Sequence, residues 1–235
     1  MNKTKIEYAD YTWNPVTGCL HTCSYCYARR IANRFKGTAS YPMGFTPTLH
    51  VERLGEPAAV KKPSIIFVSS MGDLFGEWVP DEWIRKVFDA CKAAPQHAYL
   101  FLTKNPKRYK ELDCLGAMPK GSGFWYGSTV TGPNAQSWQR IDYNTFISFE
   151  PLLGKMGTTK PMKWMADWVI LGGLTGPGSE SYTPDQDTIK RIEDRCVEIK
   201  IPCYFKNNLA VDNGLPHTQH PIAMLKHLGW LVLSA

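Results

Sequence analysis

The 235-residue chain lacks any uncharged apolar run approaching the roughly 20 residues that span a bilayer, and its last apolar stretch, Leu228 to Ala235, is far too short. No membrane partner is expected. Residues 1–13 mix Lys3, Lys5, Glu7 and Asp10 and lack the apolar core of an export signal, so the cytoplasm is the expected compartment. Gly and Pro together number 36, well below a low-complexity composition, and no internal repeat is visible. A packed globular protein is therefore expected, with length allowing one large domain or two small ones. Carboxylates are in deficit: 27 Lys and Arg face 21 Asp and Glu, and Met1 to Lys62 carries nine basic residues against four acidic ones. Such an excess favours an anionic partner. A paired cysteine framework is also missing. Seven is an odd number, and Cys91, Cys114, Cys196 and Cys203 form no close pair, which argues against disulfides and against an auxiliary cluster.

What is present is a βα rhythm. Short, continuously apolar runs at Ser64 to Ser70, Ala98 to Thr103, Phe124 to Val130, Asn144 to Phe149, Trp168 to Leu171 and Pro202 to Phe205 read as strands covered on both faces. Between them, Trp83, Ile84, Val87, Phe88 and Cys91 form a helical stripe behind Asp81 and Glu82. A second helix is predicted from Thr183 as N-cap, with Pro184 at its first position and Gln186 completing a capping box. It carries Ile189, Ile192, Cys196 and Ile199 on one face and stops before Pro202. A third, Tyr27 to Phe35, should turn Ala28, Ile31, Ala32 and Phe35 inward and Arg29, Arg30 and Arg34 outward, with Gly37 beyond its end. With one more strand before Cys19, this gives six or seven βα units, too few residues for a complete eight-unit barrel. The expected fold is α/β, a partial (β/α)6-7 parallel barrel in a single domain over 1–235. The stretch Asn33 to Lys62, rich in Gly and Pro, reads as an irregular insertion over about 36–62, a lid or substrate loop. The short spacing after Val130 leaves little room for a helix there.

Cys19, Cys23 and Cys26 place three thiols within eight residues. One reading is a structural zinc knuckle with His21 or a distant residue as fourth ligand. The second close pair that zinc modules supply is absent, however. The other reading is a [4Fe–4S] cluster, which three cysteines leave with one iron open for chemistry rather than saturated for electron transfer.

The spacing of three then two residues, with Tyr25 just before Cys26, resembles the signature of the radical S-adenosylmethionine (SAM) superfamily. The stretches Thr12 to Cys19, Ser69 to Phe75, Leu102 to Lys104, Glu150 to Gly154 and Val169 to Gly173 look like a phage-associated radical SAM family of largely unassigned function. The resemblance implies a barrel of radical SAM type with the cluster on Cys19, Cys23 and Cys26 in the loop after the first strand. It implies SAM chelated at the open iron and cleaved to a 5′-deoxyadenosyl radical that takes a hydrogen from the substrate. It also implies an electron donor such as a flavodoxin or ferredoxin, and a phage-encoded protein would act in the host cytoplasm. Most of these stretches fall at the C-terminal ends of predicted strands, the face on which barrels build active sites.

On this resemblance Tyr25, Ser70, Met71, Gly72 and Asp73 are expected against the cofactor, although Met-Gly-Asp replaces the superfamily's commoner Gly-Gly-Glu. Lys104 would meet a SAM carboxylate or a substrate phosphate, in a basic run with Lys107, Arg108 and Lys110. Of these, Arg108 is a substrate candidate, and Lys107 and Lys110 read as a solvated helix start. Ser128 and Thr129 could reach the SAM ribose, and Gly172 and Gly173 would let adenine approach the backbone. Leu174 stands where the family often has Glu. Glu150 is a catalytic candidate at the barrel mouth, serving substrate, SAM or Lys104, with a structural ion pair as the plainer alternative. Lys206 could meet an anionic group or merely snorkel. His217 and His220 sit among prolines and read as loop, and Trp13, Trp125, Trp138 and Trp164 as core or base-stacking residues. The favoured function is a radical SAM enzyme that modifies or rearranges a nucleobase or its substituent, as in phage DNA hypermodification, with DNA or RNA as substrate. Alternatives are the same chemistry on a small metabolite or peptide, and a non-enzymatic zinc or nucleic-acid-binding protein.

Overall fold

The computed structural model describes residues 1–153, 166–176, 179, 182–209 and 218–230; Gly154, Trp164, His217 and the chain from 231 onward lie outside them. In chain order the first elements are β1 (Asn2–Lys3), β2 (Tyr11–Trp13), β3 (Val16–Thr17), α1 (Tyr27–Arg34), β4 (Thr48–Leu49) and α2 (Glu56–Ala59). The βα units follow as β5 (Ile65–Val68), α3 (Asp81–Lys92), β6 (Ala98–Thr103), α4 (Lys107–Cys114), β7 (Phe124–Thr129) and β8 (Asn144–Phe149). The described chain closes with β9 (Trp168–Leu171), α5 (Gln186–Glu198), β10 (Cys203–Phe205) and α6 (Ile222–His227).

Eight strands form one sheet in the order β1-β2-β5-β6-β7-β8-β9-β10. Every neighbouring pair from β2 onward is parallel, and only the edge strand β1, which the sequence does not announce, is antiparallel. The register aligns Trp13 with Val68, Thr103 with Ser128, Thr129 with Ser148, and Phe149 with Leu171, so the C-terminal ends finish along one rim.

Side chains alternate between two apolar layers, which is why the strands read as unbroken apolar runs. On one face Ile66, Val68, Tyr99, Phe101 and Tyr126 pack on Ile84, Val87, Phe88 and Cys91 of α3 and Tyr109 and Leu112 of α4. Further along, Ile147, Phe149, Val169 and Leu171 pack on Ile189, Ile192 and Cys196 of α5. At about 1.5–3 kcal/mol for each fully buried large aliphatic or Phe side chain, this packing rather than local propensity holds the helices. The opposite face gathers Phe67, Leu100, Trp125, Phe146, Trp168, Ile170 and Tyr204 around Tyr8. The Tyr8 ring lies 6.2 Å from Phe67 on β5 and 5.6 Å from Tyr204 on β10, so the sheet curls until strands near its two ends share one residue.

Several local expectations change. The segment between β7 and β8 holds no helix; Trp138 occupies that place, packed against Tyr109, Tyr126 and Tyr143. Helix α5 begins later than its capping box suggested, because Asp185, not Thr183, is the N-cap, its carboxylate accepting from both the backbone N and the hydroxyl of Thr188. On α1 only Ala28 and Ala32 are buried, while Ile31 and Phe35 are exposed at 39% and 48%. Arg29 is not turned outward: its guanidinium donates to the His21 carbonyl and lies over the Phe45 ring. Within the insertion, the short strand β4 pairs with β3.

Candidate active site at the strand C-terminal rim

The cysteine loop is threaded between two supports. Gly18 has φ +85° and donates its backbone N to Met71 O at 2.9 Å, and Cys19 N donates to Phe45 O at 3.1 Å. A Cβ on Gly18 would come within 2.3 Å of Thr46 O, so only glycine passes here. The insertion therefore braces the cysteine loop from behind, and Phe45 reaches the cavity that the loop borders. Cys26 caps α1, its Sγ accepting from Arg29 N at 3.4 Å.

Asp73 ties the loop to the sheet. Its Oδ2 accepts from His21 Nε2 and from the backbone N of Lys104, each at 3.0 Å, and its Oδ1 accepts from the Thr103 hydroxyl at 2.8 Å and Phe75 N at 3.0 Å. Two strand ends and the cysteine loop thus share one buried carboxylate. The next layer is Asn14, whose Oδ1 accepts from Met71 N at 2.9 Å and from the Ser70 hydroxyl at 3.2 Å. Ser69 follows β5 in the left-handed region at φ 59°, with its hydroxyl buried and without a partner among the described residues. A non-glycine residue in that region is uncommon and marks a constrained turn.

These elements enclose a cavity of about 580 Å³ whose walls include Cys19, Cys23, Cys26, Tyr25, Ser70, Met71, Gly72, Asp73, Lys104, Glu150, Gly173 and Lys206. Twelve of the residues singled out from sequence therefore converge from six loops. Glu150 is paired not with Lys104 but with Lys206, at 2.7 Å between Oε1 and Nζ, while its Oε2 accepts from Tyr8 at 2.9 Å and Ser148 at 3.0 Å. Burial, the nearby Glu150 charge and their hydrogen bond push the Tyr8 phenol well above its ordinary range, so it acts as a donor. Lys104 has no carboxylate partner among the described residues; its ammonium lies 5.6 Å from the Tyr25 ring centroid. Burial lowers its pKa, against the pull of Cys23 and Asp73. Burial likewise raises the Cys19 thiol to about 12, and the Tyr25 and Tyr27 phenols to about 12 each.

Three expected residues do not face this cavity. Arg108 is turned away, its guanidinium paired with Asp81 and Glu111 and donating to Val79 O. Ser128 is buried, its hydroxyl accepting from Trp138 N at 3.0 Å, and the neighbouring Thr129 takes the wall position. Gly172 lies behind the wall: a Cβ there would meet Glu150 Oε1 at 2.7 Å and Lys206 Cδ at 2.9 Å, so its bareness makes room for that ion pair. Conversely, Tyr8, Tyr27 and Ser69 line the cavity without having been anticipated. Ser69 opens the family-like stretch Ser69 to Phe75 and Tyr27 opens the helix after Cys26, whereas Tyr8 lies outside every motif.

The residues fit an iron–sulfur cofactor better than zinc. His21 is engaged by Asp73, with its ring edge-on to Trp78 at 4.8 Å. Among the described residues no three His, Cys, Asp or Glu side chains converge as the ligands of a single ion do. Zinc draws each sulfur to about 2.3 Å from one centre, whereas each cysteine of a cubane binds its own iron. Three free thiols on one wall, an orphaned Ser69 hydroxyl and an unpaired Lys104 ammonium leave donors for a bound group with its own charge and acceptors. No helix among the described residues is long and apolar enough to cross a membrane.

A family model described as a protein of unknown function, DUF5131, matches residues 3–214. No curated protein matches the sequence. Among solved structures the fold is similar to spore photoproduct lyase complexed with dinucleoside spore photoproduct, at TM-score 0.52 and 10% identity over 87% of this chain and 78% of that one. A single-substitution variant of the lyase with dinucleoside spore photoproduct gives TM-score 0.55 and 12% identity over the same shares.

Proposed function

The chain belongs to the DUF5131 family, and from that premise we propose that it is a radical SAM enzyme, a partial barrel acting on a nucleobase or its substituent. The observation that carries this is the placement of Cys19, Cys23 and Cys26 together on the wall of a cavity at the C-terminal rim of consecutive parallel strands. When bound, a [4Fe–4S] cluster on these cysteines supplies, from a donor such as flavodoxin or ferredoxin, the electron that cleaves SAM to a 5′-deoxyadenosyl radical.

The chain's own residues then have distinct tasks. The segment Ser70 to Asp73 and Gly173 present backbone to the cofactor, and Tyr25 covers its edge beside Lys104. Asp73 and Arg29 hold the cysteine loop in register through His21. Lys104, whose ammonium pairs with no carboxylate among the described residues, neutralises an anionic group of cofactor or substrate. Across the cavity, Glu150 is oriented by Tyr8 and Ser148 and holds Lys206, leaving ammonium hydrogens for substrate. The net charge of +6 and a fold shared with a lyase whose complexes hold a dinucleoside support a nucleobase substrate. Buried side chains around the Tyr8 end of the cavity limit water, as radical chemistry requires.

The test is anaerobic reconstitution with iron and sulfide, reduction, and assay of 5′-deoxyadenosine from SAM. Wild type should bind iron with acid-labile sulfide and form product; Cys19→Ala/Cys23→Ala/Cys26→Ala should do neither. Zinc without sulfide, or undiminished product in the triple variant, would end this reading.

A further inference from the structure

From Tyr11 to Val51 the chain holds no Asp or Glu, yet Arg29, Arg30, Arg34 and Lys36 fall on α1 and the turn after it. Several cations elsewhere are matched, as Lys86 is with Glu82, Lys120 with Asp142 and Arg108 with Asp81. None of the four around α1 forms an ion pair among the described residues, and Arg30, Arg34 and Lys36 are exposed. Arg30 and Arg34 stand one turn apart and repel, and the first turn of α1 carries no acidic residue to complement its dipole. The Arg30–Arg34 repulsion and the cations near the start of α1 are locally unfavourable, Arg34 alone suiting the dipole of the last turn, and an external anion would relieve them.

The same surface is apolar in part. Tyr27, Ile31 and Phe35 are exposed at 43%, 39% and 48%, and the Arg34 guanidinium lies over the Phe35 ring at 5.7 Å. The surface is also continuous with the cavity. Tyr27 lines it, donating to Ser70 O at 3.0 Å, and Ile31 and Arg34 follow at one and two turns along the same side of α1. Arg30 borders the opposite margin, where a Cβ on Gly176 would come within 2.5 Å of its guanidinium, beside the loop that supplies Gly173, Leu174 and Thr175 to the wall.

We infer that the exposed side of α1 is a track for single-stranded nucleic acid, with phosphates on Arg30, Arg34 and Lys36 and bases against Phe35 and Ile31, leading one nucleotide past Tyr27 into the cavity. This rests on reading the cavity as a nucleobase-modifying site and narrows its substrate to a polymer. A base must leave its stack to reach such a cavity, and a single strand has none to break. An acidic protein would meet the same charges; the unbroken path into the cavity and the open aromatic faces favour the strand.

The test is fluorescence anisotropy of a labelled 20-nucleotide single-stranded oligodeoxynucleotide against the full-length, anaerobically reconstituted protein across KCl concentrations. Wild type should bind with a salt-dependent affinity. Arg30→Ala/Arg34→Ala/Lys36→Ala should lower the slope of log affinity against log salt by about 2, at about 0.7 per lost single-strand contact, and weaken binding at least about tenfold at low salt. Arg85→Gln/Lys86→Gln/Lys92→Gln on α3 removes the same charge from another face and should leave binding intact. Phe35→Ala should weaken binding without changing the slope. Equal loss in both triple variants, or wild-type binding of flavodoxin but not of the oligonucleotide, would overturn the track. Formation of 5′-deoxyadenosine without substrate is scored separately: its absence with binding intact fails the radical reading alone, and its presence without oligonucleotide binding fails the track alone.

Discussion

The phenol of Tyr8 donates a 2.9 Å hydrogen bond to the carboxylate of Glu150, a residue 142 positions away in the chain. Both belong to a buried cluster in which Glu150 also holds Lys206 and Ser148. Tyr8→Phe removes the donor and keeps the ring. A hydrogen bond to a charged group contributes about 1.5–3 kcal/mol, so the melting temperature should fall by about 3–12 °C for a chain of this size. Calorimetry reads this; an unchanged melting temperature would show that Glu150 does not depend on Tyr8.

Gly172→Ala should act through the same pair. The new Cβ meets Glu150 and Lys206 together, and Glu150 is fastened by Tyr8 and Ser148 and so cannot swing away freely. Overpacking of this kind costs about 1–3 kcal/mol. In urea unfolding, Gly172→Ala/Lys206→Ala should be less destabilised than the two single changes summed, because truncating Lys206 opens the space. Strict additivity would contradict the clash.

Asp73→Asn tests the tie between cysteine loop and sheet. An amide has one acceptor oxygen where the carboxylate has two, so at least one of the donors from His21, Thr103, Lys104 and Phe75 loses its partner. The expected loss is about 1–3 kcal/mol, accompanied by less iron retained per chain after reconstitution. Thr103→Val removes one donor to Asp73 and the acceptor of Asn105 N but leaves the carboxylate's ties to His21, Lys104 and Phe75, so it should retain iron. Equal effects of the two variants would deny Asp73 its tying role.

Acid should destabilise the fold through histidines. Burial is the leading cause that lowers His50, His97 and His220 below the ordinary 6.5, so the unfolded chain takes up protons at a pH where the folded protein does not. Their contribution is complete above 6.5 and lost as pH falls toward the folded values, with a slope of up to about 1.4 kcal/mol per pH unit for each. His97→Gln should flatten unfolding free energy between pH 6.5 and 5. The ring of His97 faces the carbonyls of Pro57 and Val60, which an amide can still donate to. Greater stability at pH 5 than at pH 7 would refute the sign.

Much of the architecture was legible because the signals were local. The runs Ala98 to Thr103, Asn144 to Phe149 and Trp168 to Leu171 coincide with β6, β8 and β9, since a strand covered on both faces must be apolar throughout. The stripe on α3 read correctly because its partner layer is the adjacent sheet. The α1 stripe did not: Ile31 and Phe35 have the period of a core face but no element among the described residues buries them, and periodicity cannot report whether a partner exists. Thr183 lost the cap to Asp185 because a carboxylate two residues on could serve both groups of Thr188.

Sequence alone determined the chemistry on offer: three clustered thiols, an uncompensated positive N-terminal third, and strand ends that must share one rim because the strands are parallel. Only the tertiary structure decided which groups meet. It paired Glu150 with Lys206 instead of Lys104, turned Arg108 and Ser128 to structural duties, and brought Tyr8 across the curled sheet. The reason is physical: covalent spacing restricts neighbours within a turn or a loop, whereas contacts over a hundred residues apart are chosen by the curvature of the sheet and by which buried donor can reach which buried acceptor.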